Sequence, residues 1–178
     1  LVAPGEIRHA GVGDTVIGRW ENVEPRELVR LRDVFEDAGI PTRIASDVRT
    51  ELWAKAIVNA AINPLAALAG VPNGRLVRDR ALLAALEGVV QEGATVARAA
   101  GAAVDPEDLL RRTVLVARRT AANRCSMLQD LDRGRKTEID AITGAIVTRA
   151  LVEGIPVPRN EILHALVRAR EAARRSGA

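Results

Sequence analysis

The chain has 178 residues, enough for one sizeable hydrophobic core or for one domain and part of another. Apolar residues make up 48% and aromatic residues only 2%, so the core must be built from Ala, Leu, Val and Ile, a composition that favours close-packed helices. The single cysteine excludes an internal disulfide and a cysteine-based zinc cluster, and it suits a reducing compartment.

The balance of charge argues against a nucleic-acid partner. The 26 basic and 23 acidic residues leave a net charge of only +3 and are mostly interleaved along predicted helices. The arginine-rich stretch 168–175 is typical of a last helical turn, where positive charge complements the helix dipole. Aromatic residues that could stack on bases are almost absent, so we predict that no nucleic acid is bound.

The sequence also lacks the usual signals for a membrane. No run approaches 18 uncharged apolar residues, and no signal-peptide pattern opens the chain. We therefore expect a soluble, cytoplasmic protein that has no membrane partner.

Residues 1–45 predict a small mixture of strand and helix, with short strands over 6–13, 14–18 and 41–45 and one helix over 27–38. Gly39 follows that helix at the position where a residue with positive φ commonly ends one. So few elements cannot bury their own apolar faces. Because the sequence also begins with Leu1 in the middle of this pattern, we interpret 1–45 as the incomplete, trailing part of a larger α/β domain.

From residue 46 the pattern is helical almost to the end. Ser46-Asp47 supplies an N-cap for a helix over 49–63, which Pro64 is expected to break or kink, and residues 65–69 allow one further helical turn after it. Four further helices are predicted over 79–100, 105–123, 137–154 and 159–175. The predicted fold is therefore mainly α, with a helical domain over 46–178.

The first of these helices carries a polar stripe on an otherwise apolar surface. Lys55, Asn59 and Asn63 are each four residues apart, and steps of four drift by about 40° around a helix, so all three lie on one side. An apolar helix is expected to be buried, and burial would lower the pKa of Lys55 toward the range of an acid–base catalyst. The alternative is that Lys55 extends to solvent while the two amides bond a neighbouring helix.

A second group of polar residues lies further along the chain. Ser126 precedes an apolar turn, and Thr137-Glu138 opens a predicted helix. Taken singly, such residues are most often helix caps, and Asn73-Gly74 is most often a turn. No metal-ligating cluster is predicted.

The order of these motifs is more informative than any one of them. The chain contains Leu52-Trp53-x-Lys55-x-x-x-Asn59-x-x-x-Asn63-Pro64, Pro72-Asn73-Gly74, Ser126-Met127-Leu128-Gln129-Asp130, Thr137-Glu138-Ile139-Asp140 and Gly154-Ile155-x-Val157-Pro158-x-Asn160. This pattern resembles the ketopantoate reductases (2-dehydropantoate 2-reductases), mainly their C-terminal helical domain. The resemblance covers residues from about 4 to 170.

The resemblance implies an enzyme that reduces 2-dehydropantoate to (R)-pantoate with NADPH, for pantothenate and coenzyme A biosynthesis. Its fold would pair an N-terminal Rossmann domain, of which 1–45 is the trailing part, with a helical domain over 46–178 like the C-terminal domain of 6-phosphogluconate dehydrogenase. The resemblance also assigns roles: Lys55 as the general acid, Asn59, Asn63, Asn73 and Ser126 as substrate-binding residues, and Glu138 as a cofactor-binding residue.

The chemistry of these residue types agrees with those roles. Hydride that arrives at a ketone leaves negative charge on oxygen, which a nearby cation with a transferable proton stabilises. Neutral Asn and Ser side chains orient a small polyoxygenated substrate without adding charge.

The sequence departs from the family in one respect. No Gly-rich G-x-G-x-x-G follows a strand, and Gly11-Val12-Gly13 is predicted to lie in a turn before a strand instead of a helix. We therefore expect this chain to bind NADPH weakly or not at all, and to be inactive alone, unless a nucleotide-binding half is supplied.

Two other functions stay open from the sequence. One is a reductase of the same architecture that acts on another 2-oxo acid, since fold alone does not set the substrate. The other is a non-catalytic helical dimerisation module. The sequence leaves the oligomeric state open, and a homodimer is one of the partners that it allows.

Overall fold

The computed structural model describes residues 5–6, 13, 15–20 and 24–175, with side chains to residue 173. The chain divides into two compact units, the first ending at Glu51 and the second beginning at Leu52. The predicted strand over 6–13 lies almost wholly outside the described residues. The predicted domain boundary after residue 45 stays a prediction.

The described part of the first unit contains a β-α-β element. Strands β1 (Thr15–Gly18) and β2 (Thr42–Ala45) are parallel, with Thr15 opposite Thr42 and Gly18 opposite Ala45. Parallel strands need a crossover connection, and helix α1 (Pro25–Asp37) provides it. The predicted strands over 14–18 and 41–45 are thus confirmed, as is the positive φ of Gly39, which is 74°.

The second unit is helical. After α2 (Val48–Ala69) and the 3₁₀ turn Asn73–Arg75 come α3 (Arg80–Ala99), α4 (Pro106–Arg119), α5 (Ser126–Asp132), α6 (Ile139–Glu153) and α7 (Pro158–Arg175). Three aspartates cap helix N-termini, because their side chains accept backbone N–H groups of the first turn: Asp47, Asp79 and Asp105. The mainly α prediction is confirmed.

Helix boundaries differ from the prediction in three places. Helix α2 continues through Pro64 to Ala69, because the burial of Leu65, Ala66 and Ala67 outweighs the hydrogen bond that proline removes. Helix α4 ends at Arg119, before the predicted 123. The short helix α5 was not predicted; at seven residues it is too short to show a period.

The core of the second unit is built around α2. Ile57, Ala60, Ala61 and Ala66 are fully buried, as are Leu86 on α3, Ile139 and Ile146 on α6 and Val167 on α7. Small side chains let the helices approach closely: a Cβ on Gly93 of α3 would lie 3.0 Å from Cγ1 of Ile57. The expected Ala, Leu, Val and Ile core is what the structure contains.

Polar contacts hold α7 against two other helices. The buried Glu92 of α3 accepts the backbone N–H groups of Arg159 and Asn160 at 3.1 and 3.0 Å, where the first turn of α7 lacks intrahelical partners. At the other end, the Arg170 guanidinium donates to the carbonyls of Ala67 and Leu68 at 2.8 and 3.3 Å. A positive charge at the C-terminal end of α2 is also favoured by the helix dipole.

Helix α2 is long and apolar enough to cross a membrane when only its length and composition are considered. However, 56% of its most apolar window is buried inside the protein, and the core helix of a globular domain passes the same test. We read α2 as a core helix.

Candidate functional site

The polar stripe of α2 runs from solvent into the protein. Lys55 is exposed, and Asn59 and Asn63 are half-buried. Ala66, about three turns beyond Lys55 on the same side, is fully buried. The three polar side chains therefore line one side of α2, which is exposed at Lys55 and fully buried at Ala66.

The expectation that Lys55 is buried is wrong in this chain. In its first turns helix α2 directs Ala54 and Ile57 to the core, and the side that carries Lys55 is open to solvent there. Leu52, on the open side, is 52% exposed. The overall apolarity of the helix suggested burial on every side along its whole length, whereas around Lys55 only the side that carries Ala54 and Ile57 is covered.

Asn73 lies at the start of the 3₁₀ turn and is 6% exposed. Its backbone N–H donates to the carbonyl of Asn123 at 3.0 Å, and its Nδ2 donates to the Thr120 hydroxyl at 2.9 Å. Its Oδ1 is buried and accepts no hydrogen bond in the structure. A buried amide oxygen without a donor is uncommon in proteins.

Gly74 allows this turn to sit close to the end of α4. Its N–H donates to the carbonyl of Ala121 at 3.1 Å, and a Cβ on it would lie 2.7 Å from the Ala121 Cβ and 2.9 Å from the Ala121 Cα. Any side chain larger than hydrogen would push the turn away from segment 120–125, the connection between α4 and α5.

Ser126 is exposed and is the first residue of α5. The residue before it, Cys125, is the N-cap: its sulfur accepts the Leu128 N–H at 3.4 Å. The same sulfur is 3.5 Å from the carbonyl oxygen of Asn63, to which the thiol donates. The start of α5 is thereby joined to the backbone of α2 at Asn63.

Segment 120–125 thus connects three of the predicted substrate-binding positions. It bonds Asn73 through Thr120 and Asn123, it bonds Asn63 through Cys125, and it leads into Ser126. Asn59 and Lys55 lie one and two turns before Asn63 on the same side of α2. The arrangement offers neutral hydrogen-bonding groups beside a lysine, which suits an uncharged or anionic polar ligand.

Glu138 is not joined to this group by any contact among the described residues. It is the N-cap position of α6 but makes no side-chain cap hydrogen bond, and it is exposed. Thr137 does the capping instead, since its hydroxyl accepts the Ile139 N–H at 3.2 Å. The Glu138 carboxylate is therefore not used as a cap, contrary to the structural alternative from the sequence.

Two ionisable groups near these elements have shifted pKa values. Burial raises the pKa of the Cys125 thiol, which keeps the sulfur protonated at neutral pH. The hydrogen bond from His164 at 2.9 Å lowers the pKa of Asp140, with smaller contributions from Arg168 and Lys136. Within the part of the chain that the structure describes, no group of three or more His, Cys, Asp or Glu side chains could hold a metal ion.

Sequence reasoning missed Thr120 and Cys125 as parts of this site. Thr120 bonds a residue 47 positions away, and no local pattern marks that pairing. Cys125 stood beside Ser126 in the sequence, but its bond to Asn63, 62 positions away, appears only in the fold.

Comparison with known proteins agrees with the resemblance read from the motifs. Residues 47–171 match the family model described as ketopantoate reductase PanE/ApbA C terminal. The 2-dehydropantoate 2-reductase of Archaeoglobus fulgidus is 39% identical over 168 residues, which are 94% of this chain and 56% of that protein. The chain spans about half the length of the curated relatives it matches.

Solved structures show the same relationship. A PanE/ApbA family ketopantoate reductase from Ralstonia eutropha JMP134 matches with a TM-score of 0.84 and 39% identity, covering 98% of this chain and 57% of that one. D-mandelate dehydrogenase in complex with NADH matches with a TM-score of 0.91, covering 97% of this chain and 59% of that one, but at 24% identity this likeness shows the fold alone. The chain therefore belongs to the ketopantoate reductase family, and residues 47–171 are its PanE/ApbA C-terminal domain.

Proposed function

We propose that this chain is the substrate-binding and proton-donating half of an NADPH-dependent 2-dehydropantoate 2-reductase, which forms (R)-pantoate for coenzyme A biosynthesis. Family membership supports the reaction. The observation that carries the site is the set of hydrogen bonds through segment 120–125, which join Asn63, Asn73 and Ser126 in the unit that also holds Lys55.

Lys55 donates the proton in this proposal. Its exposed ammonium lies on the open side of α2, next to the amides that would hold the substrate. When hydride reaches the ketone carbon, the carbonyl oxygen gains negative charge, and a lysine at that oxygen stabilises the charge and transfers a proton to it. The only other lysine, Lys136, lies 3.7 Å from Asp140 on α6 and has no place in this site.

The neutral polar residues hold the substrate. Asn59 and Asn63 offer amide groups on the same side of α2 as Lys55, and Ser126 offers a hydroxyl at the start of α5. Asn73, on the 3₁₀ turn, belongs to the same group through its hydrogen bond to Thr120. Groups held on helices and on a braced turn orient a small substrate with little loss of side-chain entropy.

The cofactor fits this chain only in part. NADPH supplies the hydride, and the exposed Glu138 carboxylate suits a ribose hydroxyl. No Gly-rich phosphate-binding loop occurs among the 178 residues. We therefore expect the isolated chain to show no micromolar affinity when NADPH fluorescence is titrated. A Kd in that range would contradict the proposal that another half of the enzyme binds most of the cofactor.

The test of the function is loss of NADPH absorbance with 2-dehydropantoate. The enzyme is made complete by supplying this chain with a nucleotide-binding half of the family. Lys55→Ala should lower kcat by about a hundredfold or more, the effect of losing a general acid. Lys136→Ala is the matched control, because it removes the same side chain from an exposed position, and it should leave kcat unchanged.

The outcomes separate the alternatives. Turnover that depends on Lys55 establishes both the reaction and the proton donor. Turnover only with another 2-oxo acid in a substrate panel would move the function to a related reductase. An enzyme that is inactive with every 2-oxo acid would favour the non-catalytic dimerisation module, which sedimentation of the chain would then reveal as a dimer.

A further inference from the structure

Cys125 connects two elements of the proposed site through a single atom. Its thiol donates to the carbonyl of Asn63 on α2 at 3.5 Å, and its sulfur accepts the N–H of Leu128 in the first turn of α5 at 3.4 Å. We propose that Cys125 is a positioning residue that fixes Ser126 relative to Asn63 in the substrate site. This inference rests on the proposed function, because it takes both residues to bind the substrate.

The choice of cysteine is unusual for a helix N-cap. Ser, Thr, Asp and Asn are the preferred residues at this position, since their oxygens accept a first-turn N–H. Cys125 is only 7% exposed. A thiol loses less than a hydroxyl or carboxylate on leaving water, and it still offers a weak donor and a weak acceptor.

The protonation state of Cys125 suits this role. Donation to the Asn63 carbonyl requires the S–H form, and burial raises the pKa of the thiol. A reactive or redox-sensing cysteine needs the opposite environment, an exposed sulfur with a lowered pKa. The geometry thus favours a structural bond over a nucleophile or redox sensor.

The backbone before Cys125 is held by hydrogen bonds that do not involve the Cys125 sulfur. The carbonyls of Ala121 and Asn123 accept the N–H groups of Gly74 and Asn73, and the carbonyl of Arg124 accepts Nε2 of Gln129 at 2.9 Å. Met127 and Leu128 also anchor α5 in the core, so what Cys125 adds is a direct link from the first turn of α5 to the Asn63 carbonyl, made by its two sulfur bonds. Losing them would let Ser126 shift while the rest of the helical unit stays folded.

The experiment compares Cys125→Ala with Cys125→Ser in the complete enzyme. Alanine removes both hydrogen bonds, whereas serine can cap α5 and donate to the Asn63 carbonyl. We expect Cys125→Ala to raise KM for 2-dehydropantoate about fivefold or more, because the displaced Ser126 would lose its hydrogen bond to the substrate. KM for NADPH should stay unchanged. Cys125→Ser should restore most of the substrate affinity.

A control separates positioning from loss of stability. Val90 on α3 is 1% exposed, so Val90→Ala should lower Tm by weakening the same core. Mere destabilisation reduces the amount of active enzyme and hence the apparent kcat, but it leaves KM for the substrate unchanged. We therefore expect Val90→Ala to keep the wild-type KM while Cys125→Ala does not.

The results that overturn the inference are distinct from those that overturn the function. If the wild-type enzyme reduces 2-dehydropantoate with Lys55 dependence, but Cys125→Ala keeps the wild-type KM, the positioning role is wrong and the function stands. The same holds if serine fails to restore KM. If the wild-type enzyme does not reduce 2-dehydropantoate, the proposed function falls and takes the positioning role with it.

Discussion

The two units of the chain differ in what they can bury. In the second unit every α-helix adds a buried residue to one core, among them Ile57, Leu86, Leu109, Leu128, Ile139 and Val167. In the described part of the first unit the buried hydrophobic residues are Leu28 and Ala45. There α1 and the turn after it leave large apolar side chains exposed, namely Val29, Leu31, Val34 and Ile40.

The difference follows from the number of layers. The described part of the first unit has two parallel strands and one helix, whereas parallel sheets in proteins are normally larger and buried on both faces. The helices of the second unit cover one another. We therefore expect most of the free energy of unfolding to reside in the unit that carries the candidate site.

The largest expected effect is a cavity in the helical core. Ile57→Ala should lower the free energy of unfolding by about 2–5 kcal/mol, because Ile57 is fully buried against Gly93. Val34→Ala in the first unit should change it by about 0.5 kcal/mol or less, since Val34 is 65% exposed. Urea unfolding followed by far-UV circular dichroism measures both. Equal losses would show that the first unit has a core of its own.

The two units also contrast in what one carboxylate contributes to stability. Glu92→Ala should cost about 3 kcal/mol, because it leaves the first turn of α7 and the buried Asn160 without their acceptor. Glu51→Ala removes the exposed pair with Arg43 in the first unit and should cost about 1 kcal/mol or less. The same urea experiment applies, and a Glu92→Ala protein as stable as Glu51→Ala would refute the capping role of Glu92.

Glycine substitutions test how tightly each unit is packed. Gly74→Ala places a Cβ 2.7–3.0 Å from atoms of Ala121 and should cost about 1–3 kcal/mol. Gly13→Ala, in the first unit, meets nothing within 4 Å and should be close to neutral. Thermal unfolding checks both variants, and loss of the Asn73–Thr120 hydrogen bond in Gly74→Ala would appear as a shift of the Asn73 side-chain amide in NMR spectra. An unchanged Tm would mean that segment 120–125 moves away from the added methyl group at little cost in free energy.

The smallest expected effect is a pH dependence from Asp140. His164 holds the pKa of Asp140 below its ordinary value of 3.8, so near that pH the unfolded chain binds more protons than the folded one. The resulting stabilisation is present above pH 3.8 and is lost as the pH falls through the folded-state pKa. Because Asp140 is exposed, we expect about 1 kcal/mol or less.

Thermal melts between pH 2 and 5 measure this dependence, with Asp140→Asn as the variant that should flatten it. Asp47, in the first unit, also has a pKa below its ordinary value, chiefly because the Thr50 hydroxyl donates a hydrogen bond to it. It should therefore also stabilise the folded chain less as the pH falls below 3.8. A steeper melt profile in Asp140→Asn would contradict the assignment.

The sequence predicted the ends of a helix well where the residues that end it are neighbours along the chain. The cap at Asp47, the positive φ at Gly39 and the periodic apolar faces mark most helix ends correctly, since each depends on a few neighbouring residues. Pro64 misled the prediction because a proline penalty is also local, whereas the burial that overrides it is not.

The sequence by itself determined the helical class, the polar stripe of α2 and the ordered motifs that identify the family, because these depend on spacing along one chain. Only the tertiary structure decided that Lys55 is exposed, that Asn73 keeps an unpaired oxygen, and that Cys125 joins Ser126 to Asn63. The physical reason is that burial and hydrogen bonding depend on partners distant in sequence, here 47 and 62 residues away.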